Sequence, residues 1–315
     1  MGDAPTYVLR QATPFRCTPS GDFQAQTGTH ESTVIPRDLV TLLLRFSTPQ
    51  TIDSVTSAAA DECQLEPEDA RRVVETWIAA GVLGEPGSPA DRQPSRLGLF
   101  QTALAEREHG TTSSSSLCSH FELQRPRLFY PGLATAEFHD PRRFPWVAAL
   151  EDSFPAIRRE LLDLLAAMPL AVVHGSYTTT GEWTAAYFWQ FGKKVEDNTR
   201  RCPRTATALR QVPGAMAFGV SLFSALAPGT FLAPHYGITN AKLRCQLPLV
   251  VPAGCRLKVG DIEVEQEEGK CIVFDDSFLH SAWNPSERDR YVLVLDFFHP
   301  DLTAVEVAYL STLAS

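Results

Sequence analysis

In the first third of the chain, apolar residues recur at helical spacing, first as Leu39, Leu42, Leu43 and Phe46 and then as Val73, Val74, Trp77 and Ile78. One apolar face every three to four residues marks an amphipathic helix, and residues 30–84 therefore predict three short helices. Thr51 precedes the middle one. Glu66-Pro67-Glu68-Asp69 opens the last, with proline and acids where a helix start favours them, and Gly81 closes it. Residues 84–117 hold two Pro/Gly/Ser-rich stretches around a short helix and read as a linker. After residue 130 the pattern changes. A helix over Pro155–Ala167 is followed by short apolar runs, among them "WTAAYFWQFG", "GVSLFSAL", "CQLPLVV", "KCIVFD" and "YVLVLDFF", separated by Gly and Pro turns. Strands of this length at close spacing predict a sandwich or jelly roll. The expected fold is α+β: a small helical domain (1–84), a linker (85–117) and a jelly-roll domain with flanking helices (118–315).

Composition narrows the function. Apolar residues make up 44% of the 315 and charged residues 21%, as in an ordinary globular protein, and no run of about 18 apolar residues offers a membrane span. The first residues, "MGDAPTYVLRQATPF", lack the basic and apolar regions of a secretory signal. The expected location is the cytoplasm, without a membrane partner. A formal charge of −9 argues against nucleic acid, whose phosphates need a basic footprint. The seven cysteines are scattered and never spaced as C-x-x-C, which predicts reduced thiols.

Two histidines stand at strand ends, His235 ahead of one strand and His280 just after "CIVFDDSFL". On neighbouring strands of a jelly roll they can meet at one metal, and neutral imidazole suits iron, copper, nickel or zinc. Packed or surface histidines are the competing reading. Gly237 stands two residues after His235, where a non-haem iron site usually has a carboxylate. His30, His109, His120, His139, His174 and His299 lie in polar, turn or Pro-flanked settings and carry no such pattern. Arg290 opens an apolar strand ten residues after His280. A buried guanidinium needs a carboxylate, either a planar dicarboxylic acid or one of Asp275, Asp276 and Asp289. Arg244 is a second residue of this kind.

The segments "FSALAPGTFLAPHYGITNAKLRCQLPLVVP" and "GKCIVFDDSFLHSAWNPSERDRYVLVLDFFHPDL" resemble the aspartyl/asparaginyl β-hydroxylase family, and the similarity extends over residues 128–303. The resemblance implies a double-stranded β-helix that binds Fe(II) and 2-oxoglutarate, consumes O2 and hydroxylates an unactivated carbon. It makes His235 and His280 the iron ligands and Arg290 the partner of the 2-oxoglutarate C5 carboxylate. Ser224 and Arg244 then line the co-substrate pocket. Gln246 departs from the family, which commonly has histidine there. Gly237 agrees with it, since hydroxylases of this family lack the carboxylate ligand. Asp275 and Asp276 read as residues that orient His280 or cap its loop.

Residues 30–84 look like a PqqD-type winged-helix module, which implies a precursor peptide as partner. The function expected from these resemblances is hydroxylation of an amino-acid side chain, Asp or Asn first, in a peptide or carrier-bound substrate of natural-product biosynthesis. Lys193, Lys194, Lys242 and Arg244 are candidates for attracting a substrate carboxylate. The alternatives are an iron halogenase and a non-catalytic jelly-roll binding protein.

Overall fold

A computed structural model describes residues 4–9, 15–17, 23–26, 32–35, 39–47, 49–63, 65–79, 82–86, 96–108, 118–173 and 177–313. The chain divides into two compact units, residues 1–115 with 302–313, and residues 116–301 with 314–315. The linker stretches 87–95 and 109–117, and His30, His109 and His174, lie outside the described residues.

The first unit runs β1 (Thr6–Leu9), β2 (Phe15–Cys17), β3 (Phe23–Gln26), β4 (Ser32–Ile35), α1 (Val40–Leu44), β5 (Gln50–Thr51), α2 (Ile52–Cys63), α3 (Pro67–Ala79), β6 (Leu83–Gly84) and α4 (Arg96–Glu108). Leu42, Leu43, Phe46, Val74 and Trp77, which carry the helical pattern, are buried in one core with Leu9, Ile35 and Leu97. The expected small helical domain also contains strands that its sequence pattern does not predict. β1 pairs with β5 and β6, and β2–β3–β4 form a second antiparallel sheet. These strands are only two to four residues long, too short for an alternation to register.

The second unit runs β7 (Phe138–His139), α5 (Trp146–Asp152), α6 (Phe154–Ala167), β8 (Ala171–Val172), β9 (Thr178–Thr180), β10 (Trp183–Gln190), β11 (Lys193–Lys194), α7 (Glu196–Arg201) and α8 (Pro203–Arg210). It continues through β12 (Val220–Leu226), β13 (Thr230–His235), β14 (Lys242–Val250), β15 (Arg256–Val259), β16 (Ile262–Glu265), β17 (Ile272–Phe274), β18 (His280–Asn284) and β19 (Arg290–Phe298). One antiparallel sheet has the order β11-β10-β12-β19-β14-β17-β7, with β8 also paired to β10, and a second has the order β16-β15-β18-β13-β9. This is a jelly roll. Strand periodicity decides what each sheet face does. On β14, Leu243, Cys245, Leu247 and Leu249 join a core with Ile157, Leu161 and Leu164 of α6, while Lys242, Arg244 and Gln246 line a cavity. On β19, Leu293, Leu295 and Phe297 enter that core, and Arg290, Val294 and Asp296 line the cavity. One face builds the fold and the other builds the site.

The final helix, α9 (Ala304–Thr312), begins with a capping box between Thr303 and Glu306. Its Ala308 is buried in the core of the first unit, and its Glu306 accepts from Arg96 Nε at 2.5 Å. Residues 302–313 thus belong to the first unit and not to the jelly-roll domain expected over 118–315. No helix among the described residues is long and apolar enough to cross a membrane.

The division of faces predicts unequal costs. Leu247→Ala, which empties a fully buried position, should lower unfolding free energy by about 2–5 kcal/mol in urea denaturation. Leu162→Ala on the exposed side of α6 should stay within about 0.5 kcal/mol of wild type.

Candidate active site

The site starts from a register shift. Leu232 pairs with Ala282, but the next pair is His235 with His280, so β13 spends three residues where β18 spends two. This bulge turns His235, in place of Pro234, toward the inner face that Leu232 already occupies. Proline in a strand interior has no N–H for the ladder and is at home in a bulge. The two rings stand 4.1 Å apart between centroids. Each Nδ1 lies against a backbone carbonyl two residues back, His235 on Ala233 at 2.8 Å and His280 on Phe278 at 2.9 Å. A carbonyl only accepts, so both Nδ1 atoms carry the proton and both Nε2 lone pairs are left for another partner. Burial and then the neighbouring His235 push the pKa of His280 down to about 3, and burial lowers that of His235 too. Two neutral imidazoles with free Nε2 atoms on one cavity wall are the donor set that a borderline divalent metal takes.

No third His, Cys, Asp or Glu joins them among the described residues. A Cβ on Gly237 would lie 2.5 Å from Cγ and from Oδ1 of Asp276, so any side chain there would collide with a carboxylate already in place. Gly237 N–H also donates to the Asp276 carbonyl at 2.6 Å. Asp276 Oδ2 accepts from Lys242 Nζ at 2.7 Å and lies 3.1 Å from Arg244. Its buried Oδ1 has no protein partner. Burial works to raise the Asp276 pKa, but the charges of Arg244 and Lys242 outweigh it and hold the carboxyl well below the usual range. Arg244 also grips Asp296 with two nitrogens, at 2.7 and 3.1 Å, and Lys242 reaches Asp296 at 3.2 Å. Two cations and two carboxylates thus neutralise one another inside the cavity.

Arg290 is different. It is 2% exposed, yet its Nε donates to Gln266 Oε1 at 2.8 Å and a terminal nitrogen to Gln246 Oε1 at 3.1 Å. Neither partner is charged. Asp275 instead accepts from Gln124 and from the Ser277 N–H, and Asp289 accepts from the Tyr291 hydroxyl. The aspartates that might have neutralised Arg290 are engaged elsewhere. Burial accordingly lowers the Arg290 pKa to about 10. Lys242, Arg244, Arg290, Asp276 and Asp296 all line one cavity of about 230 Å³, which leaves one positive charge in excess at Arg290. A buried, unneutralised guanidinium beside two free imidazole nitrogens fits an anionic ligand that also reaches a metal.

The structure brings His235, His280, Arg290, Ser224, Arg244 and Gln246 to this one cavity. Ser224 Oγ accepts from Trp183 Nε1 at 3.0 Å, which leaves its own proton to donate inward. Asp275 closes the turn that leads to His280, with Phe278 N–H bonded to its carbonyl. Lys242 and Arg244 are engaged by aspartates and Lys194 by Glu196, so these three are not free for a substrate carboxylate, and the exposed Lys193 does not line the cavity. Asp296, Gln266 and Tyr177, whose ring lies tilted against His235 with centroids 4.4 Å apart, were not singled out by the sequence. Asp296 was within reach, as a lone acid on the same alternation as Arg290 in an apolar strand.

Residues 151–300 match the family model described as Aspartyl/Asparaginyl beta-hydroxylase. The chain is 36% identical over 203 residues to the mouse "Aspartate beta-hydroxylase domain-containing protein 2", covering 60% of this chain and 59% of that protein. It is 33% identical over 183 residues to "Ornithine lipid ester-linked acyl 2-hydroxylase" of Rhizobium tropici, covering 55% and 64%. It is 36% identical over 126 residues to the human "Aspartyl/asparaginyl beta-hydroxylase", covering 39% and 17%. The chain therefore spans about three fifths of the first two relatives and a smaller part of the third.

The charge network sets a testable stability. Asp276→Asn leaves Lys242 and Arg244 with one carboxylate and should cost roughly 3–5 kcal/mol at pH 7 by urea denaturation. Because the native pKa is depressed, the carboxylate's contribution is present above the unfolded value of about 3.9 and is lost as pH falls through the native value. The gap between wild type and Asp276→Asn should close on that acid side and stay constant above pH 5.

Proposed function

We propose, from the match of residues 151–300 to the aspartyl/asparaginyl β-hydroxylase family model, that the second unit is an Fe(II)- and 2-oxoglutarate-dependent hydroxylase. The observation that carries the reading is Arg290, buried without a carboxylate in the same cavity as two neutral histidines. His235 and His280 would hold the iron through Nε2. Arg290 would take the distal carboxylate of 2-oxoglutarate, its plane fixed by Gln266 and Gln246. Two donors converge on Gln246 Oε1, from Gln266 Nε2 at 2.8 Å and from Arg290, so its own amide N–H groups are free for a ligand oxygen. Ser224 offers a hydroxyl to the same space. Bound iron, with 2-oxoglutarate and O2, supplies the oxidising power to place one oxygen atom in a C–H bond, with succinate and CO2 as co-products.

The chain's own groups favour oxygen transfer over halogenation. Asp276 Oδ1, anionic and without a partner, lies against Gly237, and a halide beside it would be repelled, whereas water can donate to it. The substrate on this reading is an amino-acid side chain, Asp or Asn first, in a peptide or carrier-bound molecule. The first unit, whose described residues form helices and two three-stranded sheets, is proposed as the winged-helix-like module that holds a precursor peptide.

Three outcomes follow. His235→Ala and His280→Ala should each abolish succinate formation and weaken Fe(II) binding in calorimetry, without loss of the folded circular dichroism spectrum. Arg290→Ala should raise the KM for 2-oxoglutarate tenfold or more, since losing one side of a desolvated charge pair costs roughly 2–5 kcal/mol. An unchanged KM would remove Arg290 from the co-substrate. In saturating chloride the product should gain the mass of one oxygen atom and no chlorine by mass spectrometry.

A further inference from the structure

We infer that the cavity mouth is a subsite for an apolar residue neighbouring the oxidised position in a peptide substrate, with Phe191 as its organising side chain. This rests on the hydroxylase reading above and adds the recognition chemistry. Four large apolar side chains line the cavity and remain exposed: Tyr177 at 44%, Phe191 at 42%, Tyr236 at 36% and Ile238 at 44%. They come from three segments, the residue before β9, the turn between β10 and β11, and the loop between β13 and β14. An apolar cluster assembled from separate segments around one opening marks a binding surface, whereas scattered exposed residues do not.

The backbone at Phe191 strengthens this. Gln190 pairs with Lys193, so Phe191 and Gly192 are the two central residues of a hairpin turn, with φ of 47° and 79°. A turn with positive φ at both positions favours Asn, Asp or Gly at the first, because a side chain carrying a Cβ is strained there. Phe191 is the one non-glycine residue with positive φ among those described. Its ring gains no compensating burial in the core. Folding alone would place Asn or Gly at 191, so the ring serves what it meets at the mouth.

The cavity interior says which apolar substrate fits. Beyond the rim, the charged Lys242, Arg244, Asp276, Asp296 and Arg290 share the wall with apolar residues such as Leu222, Leu257 and Val294, so it is volume that limits a long acyl chain. At about 230 Å³ it falls below the ~300–1,000 Å³ of ordinary small-molecule pockets. Once a co-substrate is inside, only one short side chain can follow it. The rest of the substrate lies across the rim, where two tyrosine rings, Phe191 and Ile238 offer an apolar face with hydroxyls for a peptide backbone. A short polar target side chain beside an aromatic or branched aliphatic neighbour matches both zones.

The test uses the full chain loaded with Fe(II) and 2-oxoglutarate, and alanine-based decapeptides with a central Asn or Asp flanked by Phe and Leu or by Ser and Glu. Product is read by mass spectrometry and 2-oxoglutarate consumption by succinate. The inference expects kcat/KM about tenfold or more higher for the apolar-flanked peptides. It further expects Phe191→Gly to bring the two sets near parity, mainly through KM, without lowering the Tm, since glycine relieves the turn. Equal handling of the two peptide sets by wild type, including oxidation of neither, overturns the inference. So does a Phe191→Gly protein that keeps the preference but melts lower, which would make the ring structural, or preferential oxidation of the acyl chains in phosphatidylethanolamine vesicles. Absence of any 2-oxoglutarate consumption would instead remove the hydroxylase reading itself.

Discussion

In an antiparallel pair, side chains directly opposite one another share a face of the sheet and approach within about 4.5–5.5 Å at Cβ. The one-residue bulge at Pro234 brings His235 into that relation with His280, and the chemistry of the second unit depends on it. Without the extra residue, regular pairing would set Pro234 opposite His280 and send His235 to the outer face. Backbone carbonyls then fix each Nδ1 as a donor, so the Nε2 lone pairs are set by main-chain geometry and not by mobile carboxylates.

Around this pair the strands supply charge in unequal measure. Lys242, Arg244, Asp276 and Asp296 close on themselves, a buried network whose value is positional, since it holds Asp276 against Gly237 and so occupies the corner where a third ligand would stand. Arg290 is left with two glutamines. An amide can hold a guanidinium in place without neutralising it, so the cavity retains a fixed positive charge for a ligand while paying its desolvation through hydrogen bonds. Both features come from the inward parity of β14 and β19, whose outward residues build the apolar core against α6. Rigidity of the site and stability of the unit are two faces of the same strands.

Much of this was legible in the chain. The two histidines and Arg290 sit in distinctive segments, and the strand pattern was strong enough to predict a jelly roll. Asp296 and Lys242 share the parity of Arg290 and Arg244 and could have been placed by alternation alone. Gln266 could not, because it follows β16, whose residues are mostly exposed and show no alternation, and it reaches Arg290 only through the fold-back of that hairpin. The bulge was likewise hidden. Pro234 is visible as a residue that cannot donate, but whether the chain answers with an edge, a turn or a register shift depends on the partner strand. The helix α9 follows the last strand of the jelly roll in sequence, but its buried Ala308 belongs to the core of the first unit, a partner that chain order does not reveal.

On this proposal, two neutral histidines and one unneutralised arginine form a single site for a metal and a dicarboxylic 2-oxoacid. Anaerobic titration of the protein with Fe(II), followed by 2-oxoglutarate, tests it through the visible charge-transfer absorption of a chelated 2-oxoacid. The expected result is a band that saturates at one equivalent of each and is suppressed by excess succinate. No band with the wild-type protein, or one unaffected by succinate, would contradict it.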